Sequence, residues 1–251
     1  PQDHQTPQPR ACQAEPPEPV EPEGFFARLP FALVYPFRGR GKYMIIAGAV
    51  FFAGINLLSF LPIVGLAAGA IAGAYMLVYM LKVAAESAAG EEDPPDWPDL
   101  TNLWDDLLYP LFLIAGVLII SALPLSVCLI AWLRGATPQP WVRWACAVWG
   151  MLYLPMGLLA VAMFNTGDGL NPVLVITSIA KVFVPYLVVV ILLGVCVVAE
   201  LFAQSHVVLP LPLLAPAMAG AFSLYFLMVE MRILGLIYHC YPRRLGWFET
   251  G

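Results

Sequence analysis

The chain is 251 residues long, 61% hydrophobic and only 12% charged, with a mean hydropathy of +0.80. An ordinary soluble domain carries about 25% charged residues, so half that share, in long uncharged runs, excludes a water-solvated globule and predicts an all-α membrane protein. The net charge of −5 comes largely from residues 1–23, where Asp3, Glu15, Glu18, Glu21 and Glu23 outweigh Arg10; the remainder is near neutral, so no nucleic-acid partner is expected.

Residues 1–23 are rich in Pro, Gln and Glu and poor in large apolar side chains. Such a segment cannot bury enough surface to offset its ordering entropy, which predicts a disordered tail. Residues 24–251 then form a single transmembrane helical domain. Its first piece, Phe25 to Phe37, is too short to span, aromatic, and followed by Arg38, Arg40 and Lys42, as suits a segment lying among headgroups.

Six runs are each about long enough for a 30 Å hydrocarbon core at 1.5 Å per residue. They are Tyr43–Leu61, Ile63–Val83, Leu111–Leu133, Trp141–Phe164, Phe183–Ala203 and Leu213–Tyr238. Pro124, Pro155, Pro185 and Pro216 interrupt them; each frees a backbone carbonyl, tolerated in lipid when a neighbour satisfies it. Short amphipathic pieces precede the first, third and fifth spans, so the expectation is about six transmembrane helices with short interfacial amphipathic helices, arranged as three hairpins. Chance similarity among apolar segments is the plain alternative to that repeat.

Orientation follows from the basic residues. Arg28, Arg38, Arg40, Lys42, Lys82, Lys181, Arg243 and Arg244 fall at one set of helix ends, and only Arg134 and Arg143 at the other. Six spans in a cytoplasmic (inner) membrane, with both termini cytoplasmic, account for that asymmetry.

Within the second span Gly65, Gly69 and Gly73 recur at a four-residue spacing, which places them on nearly one helix face. In lipid such a face is a helix-packing surface. Asn56, in the first span, reads as an interhelical hydrogen-bonding group. The longest polar interruption runs from Glu86 to Asp106 and carries Glu91, Glu92, Asp93, Asp96 and Asp99, with Trp97 or Trp104 expected at headgroup depth. Thr101 is placed to cap a short surface helix carrying Leu103, Trp104, Leu107 and Leu108. The proline spacing does not supply a calcium-loop geometry, so a solvated acidic loop that docks a basic partner is the expected use of the charge.

Glu230 and Arg232 interrupt the sixth span, where an ionisable group raises a functional hypothesis by default. Two residues apart, they point to nearly opposite faces. Glu230 therefore needs a cation from elsewhere, Lys181 or Lys82, while Arg232 is long enough to snorkel to the headgroups. A structural ion pair is the plain reading and an ion pathway the sharper one. His206 and His239 are isolated near the span ends, so ligation of haem or a chlorin by either is not expected, and no cofactor is. Cys128, Cys146 and Cys196 lie in apolar runs, where a thiol behaves as a small hydrophobe, and no disulfide framework is expected. No metalloprotease, serine-hydrolase or paired intramembrane aspartate motif occurs, which argues against an enzyme.

Two stretches carry a resemblance. Tyr75, Lys82 and Gly90-Glu-Glu-Asp-Pro-Pro-Asp-Trp-Pro-Asp-Leu, with the apolar run resuming at Leu107, are joined by Arg232-Ile-Leu-Gly-Leu-Ile-Tyr-His and Arg243-Arg-Leu-Gly-Trp. Together they resemble an uncharacterised family of prokaryotic multi-span membrane proteins, a domain of unknown function. Ala74 and Pro95 stand where that family commonly has Gly and Leu. The resemblance implies a membrane fold and names no activity. The expectation is therefore a non-catalytic structural or assembly subunit, with the lipid bilayer and other membrane protein chains as partners. The alternative is a small-solute or ion transporter or channel using Glu230.

Overall fold

The structure, a computed structural model, describes residues 23–58, 61–98, 101–208 and 214–248. Of the tail expected over residues 1–23 all but Glu23, which opens a helix, lies outside the described residues, as does the loop residue Asp99. Every regular element among the described residues is helical. The elements are α1 (Glu23–Arg28), α2 (Gly41–Leu58), α3 (Pro62–Ala89), α4 (Tyr109–Leu133), α5 (Pro140–Phe164), α6 (Pro172–Lys181), α7 (Phe183–Ala203), α8 (Ala215–Cys240) and α9 (Pro242–Leu245). Of these, α2, α3, α4, α5, α7 and α8 are long and apolar enough to cross a membrane. The protein is thus an all-α, six-span integral membrane protein.

The spans pair as hairpins, α2 with α3, α4 with α5 and α7 with α8. A short helical piece leads into the first span of each pair: α1 with the tight turns Leu29–Leu33 and Tyr35–Phe37, the wide turn Trp104–Leu108, and α6. Trp104–Leu108 is not the separate surface helix predicted. It runs directly into α4, with the wider register at the point where Pro110 has no N–H to give to the preceding turn. Thr101 does not cap it through its own oxygen either; its hydroxyl donates to the Asp106 carboxylate at 3.0 Å.

The helix at the centre is α8, not the glycine-rich α3. Half of its most apolar stretch is buried, against 17% for α2 and for α3. It packs against α2, α3 and α7, and touches α5. The glycines that admit close approach belong to these contacts. A Cβ at Gly235 would lie 2.6 Å from the Ala84 carbonyl oxygen of α3, and one at Gly220 would lie 2.8 Å from Phe52 of α2. Gly48 receives Leu224 and Gly157 receives Val117 in the same way. By contrast Gly69 and Gly73 are exposed with nothing among the described residues within 4 Å, and of the predicted trio only Gly65 is buried. The expected packing role of Gly69 and Gly73 inside this chain is therefore corrected: α8 packs close to α3 about three to five turns further along, at Ala84 and Ser87, and leaves the level of Gly69 and Gly73 uncovered among the described residues. Asn56 is exposed and makes no side-chain hydrogen bond among the described residues, so it does not tie two helices together.

The proline interruptions resolve into two kinds. Pro216 lies in the first turn of α8 and Pro185 is the third residue of α7, where the missing N–H has no intrahelical partner to lose. Pro124 and Pro155 are interior. Pro124 cannot bond the Ile120 carbonyl, and the Trp149 indole N–H of α5 donates to that oxygen instead, at 3.3 Å. Near Pro155 the buried Tyr186 of α7 inserts its hydroxyl into α5, donating to the Leu152 carbonyl at 2.5 Å and accepting from the Met156 N–H at 3.1 Å. Neighbouring helices thus satisfy backbone groups at both breaks, as the absence of water in hydrocarbon requires.

Candidate functional site: a buttressed acidic loop and an arginine-lined cavity

α3 ends at Gly90, whose φ of +95° and backbone bond to Ser87 close the helix, while the Glu91 N–H bonds the Glu86 carbonyl. A side chain at Gly90 would also strike the His239 ring, 2.6 Å from the added carbon. Beyond it the chain does not leave the bundle. Residues 91–98 fold back along α3, whose Tyr75 lies roughly 20 Å before its end at 1.5 Å per residue.

This segment is non-helical, and its backbone polar groups need partners. Pro94, Pro95 and Pro98 remove three donors outright, leaving mainly carbonyls to satisfy. Side chains from three directions supply the donors. Tyr75 donates to the Pro98 carbonyl at 2.8 Å, Tyr79 to Pro95 at 3.3 Å, and Lys82 to Asp96 at 2.9 Å, all from one face of α3. Arg232 of α8 donates to the Glu91 carbonyl, and Tyr35 of the N-terminal segment to Asp93 at 3.4 Å. Burial pushes the Tyr35 phenol above its ordinary pKa, so it stays a protonated donor at neutral pH.

The carboxylates of this loop are partly engaged by the chain itself. Arg38 pairs with Glu92 at 3.0 Å and Arg40 with Asp96 at 2.7 Å. The Asp93 carboxylate rests against Gly39, whose φ of +48° and contact leave no room for a side chain. Glu91 stays exposed, its backbone carbonyl held by Arg232. Trp97 turns onto α3. It is half-buried, stacked on Tyr75 at 5.7 Å and tilted over Tyr79 at 4.9 Å. Trp104 does stay exposed, near Phe112. The predicted partner-docking loop is therefore first a self-docked loop.

The expected intramembrane ion pair is not formed. Among the described residues the only salt bridges are Arg38–Glu92 and Arg40–Asp96. Lys82 is taken by the Asp96 carbonyl and Lys181 by the Leu245 carbonyl at 2.8 Å. Arg232 does not snorkel. It is buried at 9% exposure, turned onto the Glu91 carbonyl that the returning loop brings to it and over the Tyr35 ring at 4.8 Å. Glu230 points the other way, towards α7, and its Oε1 is buried without a hydrogen-bond partner among the described residues. Two turns along α8, Ser223 and Gln204 both donate to Glu200 Oε1, at 2.6 and 2.9 Å.

Arg232 also lines a cavity of about 210 Å³ between the N-terminal segment and α8, shared with Arg28, Arg38, Phe31, Tyr35 and Glu92. Arg28 donates to His239 Nε2 at 2.9 Å, which makes that nitrogen an acceptor. His206, at the other end, bonds Ser205 at 2.7 Å and stacks on Phe202. Cys128 and Cys146 are free thiols with sulfur atoms 3.3 Å apart across the α4–α5 hairpin, a juxtaposition the apolar-run reading missed. No family model, curated protein or solved structure matches the chain.

Proposed function

We propose that this protein is a non-catalytic structural or assembly subunit of a larger membrane complex, set in a prokaryotic inner membrane with both termini cytoplasmic. The observation that carries the reading is the open small-residue face of α3. Gly69 and Gly73 are exposed within a span with nothing among the described residues within 4 Å, and α3 and α2 are the least covered spans. Association in lipid is driven by close packing at small residues, so this face suits another transmembrane helix. The basic residues support the orientation: Arg28, Arg40, Lys82 and Lys181 cluster with the described chain ends, opposite Arg134 and Arg143. Gentle-detergent purification tests the reading. Because no atom of the described residues opposes it, Gly69→Leu leaves the fold intact while removing co-purifying chains. Retention of the same partners by the variant contradicts the proposal.

A second reading, an ion or small-solute pathway, rests on one observation. Glu230 lies near the middle of α8 with an unpartnered buried oxygen, and Glu200, Ser223 and Gln204 continue the polar track between α7 and α8. Proton or ion flux through the reconstituted chain, abolished by Glu230→Gln, favours it over the subunit reading; the subunit reading predicts that Glu230→Gln changes neither flux nor partner retention.

A further inference from the structure

We propose that the cavity between the N-terminal segment and α8 binds a phosphate group through Arg28, Arg38 and Arg232. Three guanidinium groups from two separate parts of the chain line one space of about 210 Å³, and among the described residues Glu92 is the only carboxylate on its wall. Like charges are not gathered in a folded chain without something to offset them. Glu92 pairs directly with Arg38, at 3.0 Å, and reaches Arg232 only through space; its side chain is largely exposed, so it is free to move aside. Arg28 is bonded to a neutral imidazole nitrogen, which leaves its charge uncompensated.

Arg232 is the deepest of the three, and its position is the most demanding. A buried guanidinium needs acceptors for five N–H donors. Among the described residues it has one hydrogen bond, to the Glu91 carbonyl, and the face of Tyr35. Its remaining donors belong to a side chain that lines the cavity. A tetrahedral oxyanion with several acceptor oxygens matches planar guanidinium forks arranged around it, as a carbonyl or a single halide does not. The space is far larger than the ~10–15 Å³ that one water needs.

The setting favours a phosphate carried by a lipid. The cavity opens where an interfacial segment meets a span, the place where basic pockets take anionic headgroups. The same segment exposes Phe26, Phe31, Leu33 and Phe37, an apolar surface for acyl chains beside the arginines. A free phosphate would meet the same guanidinium groups, so the chemistry is shared and the experiment separates the sources.

The full chain is purified in mild detergent and offered phosphatidic acid, phosphatidylcholine and inorganic phosphate. Bound lipid is read by native mass spectrometry and inorganic phosphate by phosphorus NMR line broadening. Phosphatidic acid is expected to be retained well above phosphatidylcholine. Arg38→Gln, at a half-exposed position outside the core, lowers affinity about tenfold, the effect of one charge-assisted contact. Glu92→Gln, which removes the only competing carboxylate, raises it. Binding of inorganic phosphate without lipid retention, with the same response to both variants, upholds the phosphate site and assigns its source to solution. Failure of both probes to bind, or binding indifferent to Arg38→Gln and Glu92→Gln, overturns the proposal. Neither variant touches α3, so this outcome is separable from that of the subunit reading.

Discussion

Tyr186 shows what one hydroxyl does in a span. It stands between the Met156 N–H and the Leu152 carbonyl, replacing an intrahelical bond of α5 beside Pro155. Tyr186→Phe keeps the ring and removes both bonds, leaving two buried backbone groups unsatisfied. A loss of about 1–3 kcal/mol per orphaned group is expected, seen as a lower midpoint in detergent-induced unfolding with an unchanged helical signal. An unchanged midpoint would show that the hydroxyl is not holding the break. Trp149 performs the lesser version of this service for the Ile120 carbonyl below Pro124, by a single and longer bond. Arg232 belongs to the same scale: its guanidinium, set beside Glu230 in sequence, acts in a different neighbourhood altogether. The helix turns the two side chains to opposite sides, one towards the returning loop and the other towards α7.

Elements were legible in proportion to how much of their reason is local. The six spans follow from hydropathy, and their predicted limits differ from the observed ones by a few residues, except that α3 continues past Val83 to its Gly90 cap. The Cys128–Cys146 contact was readable too. The two lie nine residues either side of position 137, within the turn joining α4 to α5, so an antiparallel hairpin brings them level. Mild oxidation with copper–phenanthroline is therefore expected to give an intramolecular cross-link that Cys146→Ser abolishes; intermolecular dimers instead would contradict the hairpin. Helix packing was not legible, because it is a property of two helices. Gly235 matters because it meets Ala84 and Ser87 on α3, and no repeat around Gly235 announces this. The fate of residues 91–98 was hidden for a similar reason. Their acceptors are carbonyl oxygens, which every residue has, so nothing in the acidic run points to Tyr75, Tyr79, Lys82 or Arg232. Only the prolines, by deleting donors, hint that this loop is built to be enclosed.

For the whole molecule, these contacts divide the surface unevenly. One end is closed: the N-terminal segment, the acidic loop, the end of α8 and the C-terminal turn interlock through Arg28–His239, Arg38–Glu92, Arg40–Asp96 and Lys181–Leu245. The flank formed by α2 and α3 is open, with small residues facing outwards at mid-span. The uncovered glycine face is the feature on which the proposed assembly role rests. The most direct test is photo-cross-linking in native membranes from a benzophenone side chain at position 69. A discrete adduct with another polypeptide, absent when the probe is moved to the outward-facing position 198 of α7, is the predicted result. Cross-links to lipid alone at position 69 would contradict the assembly role.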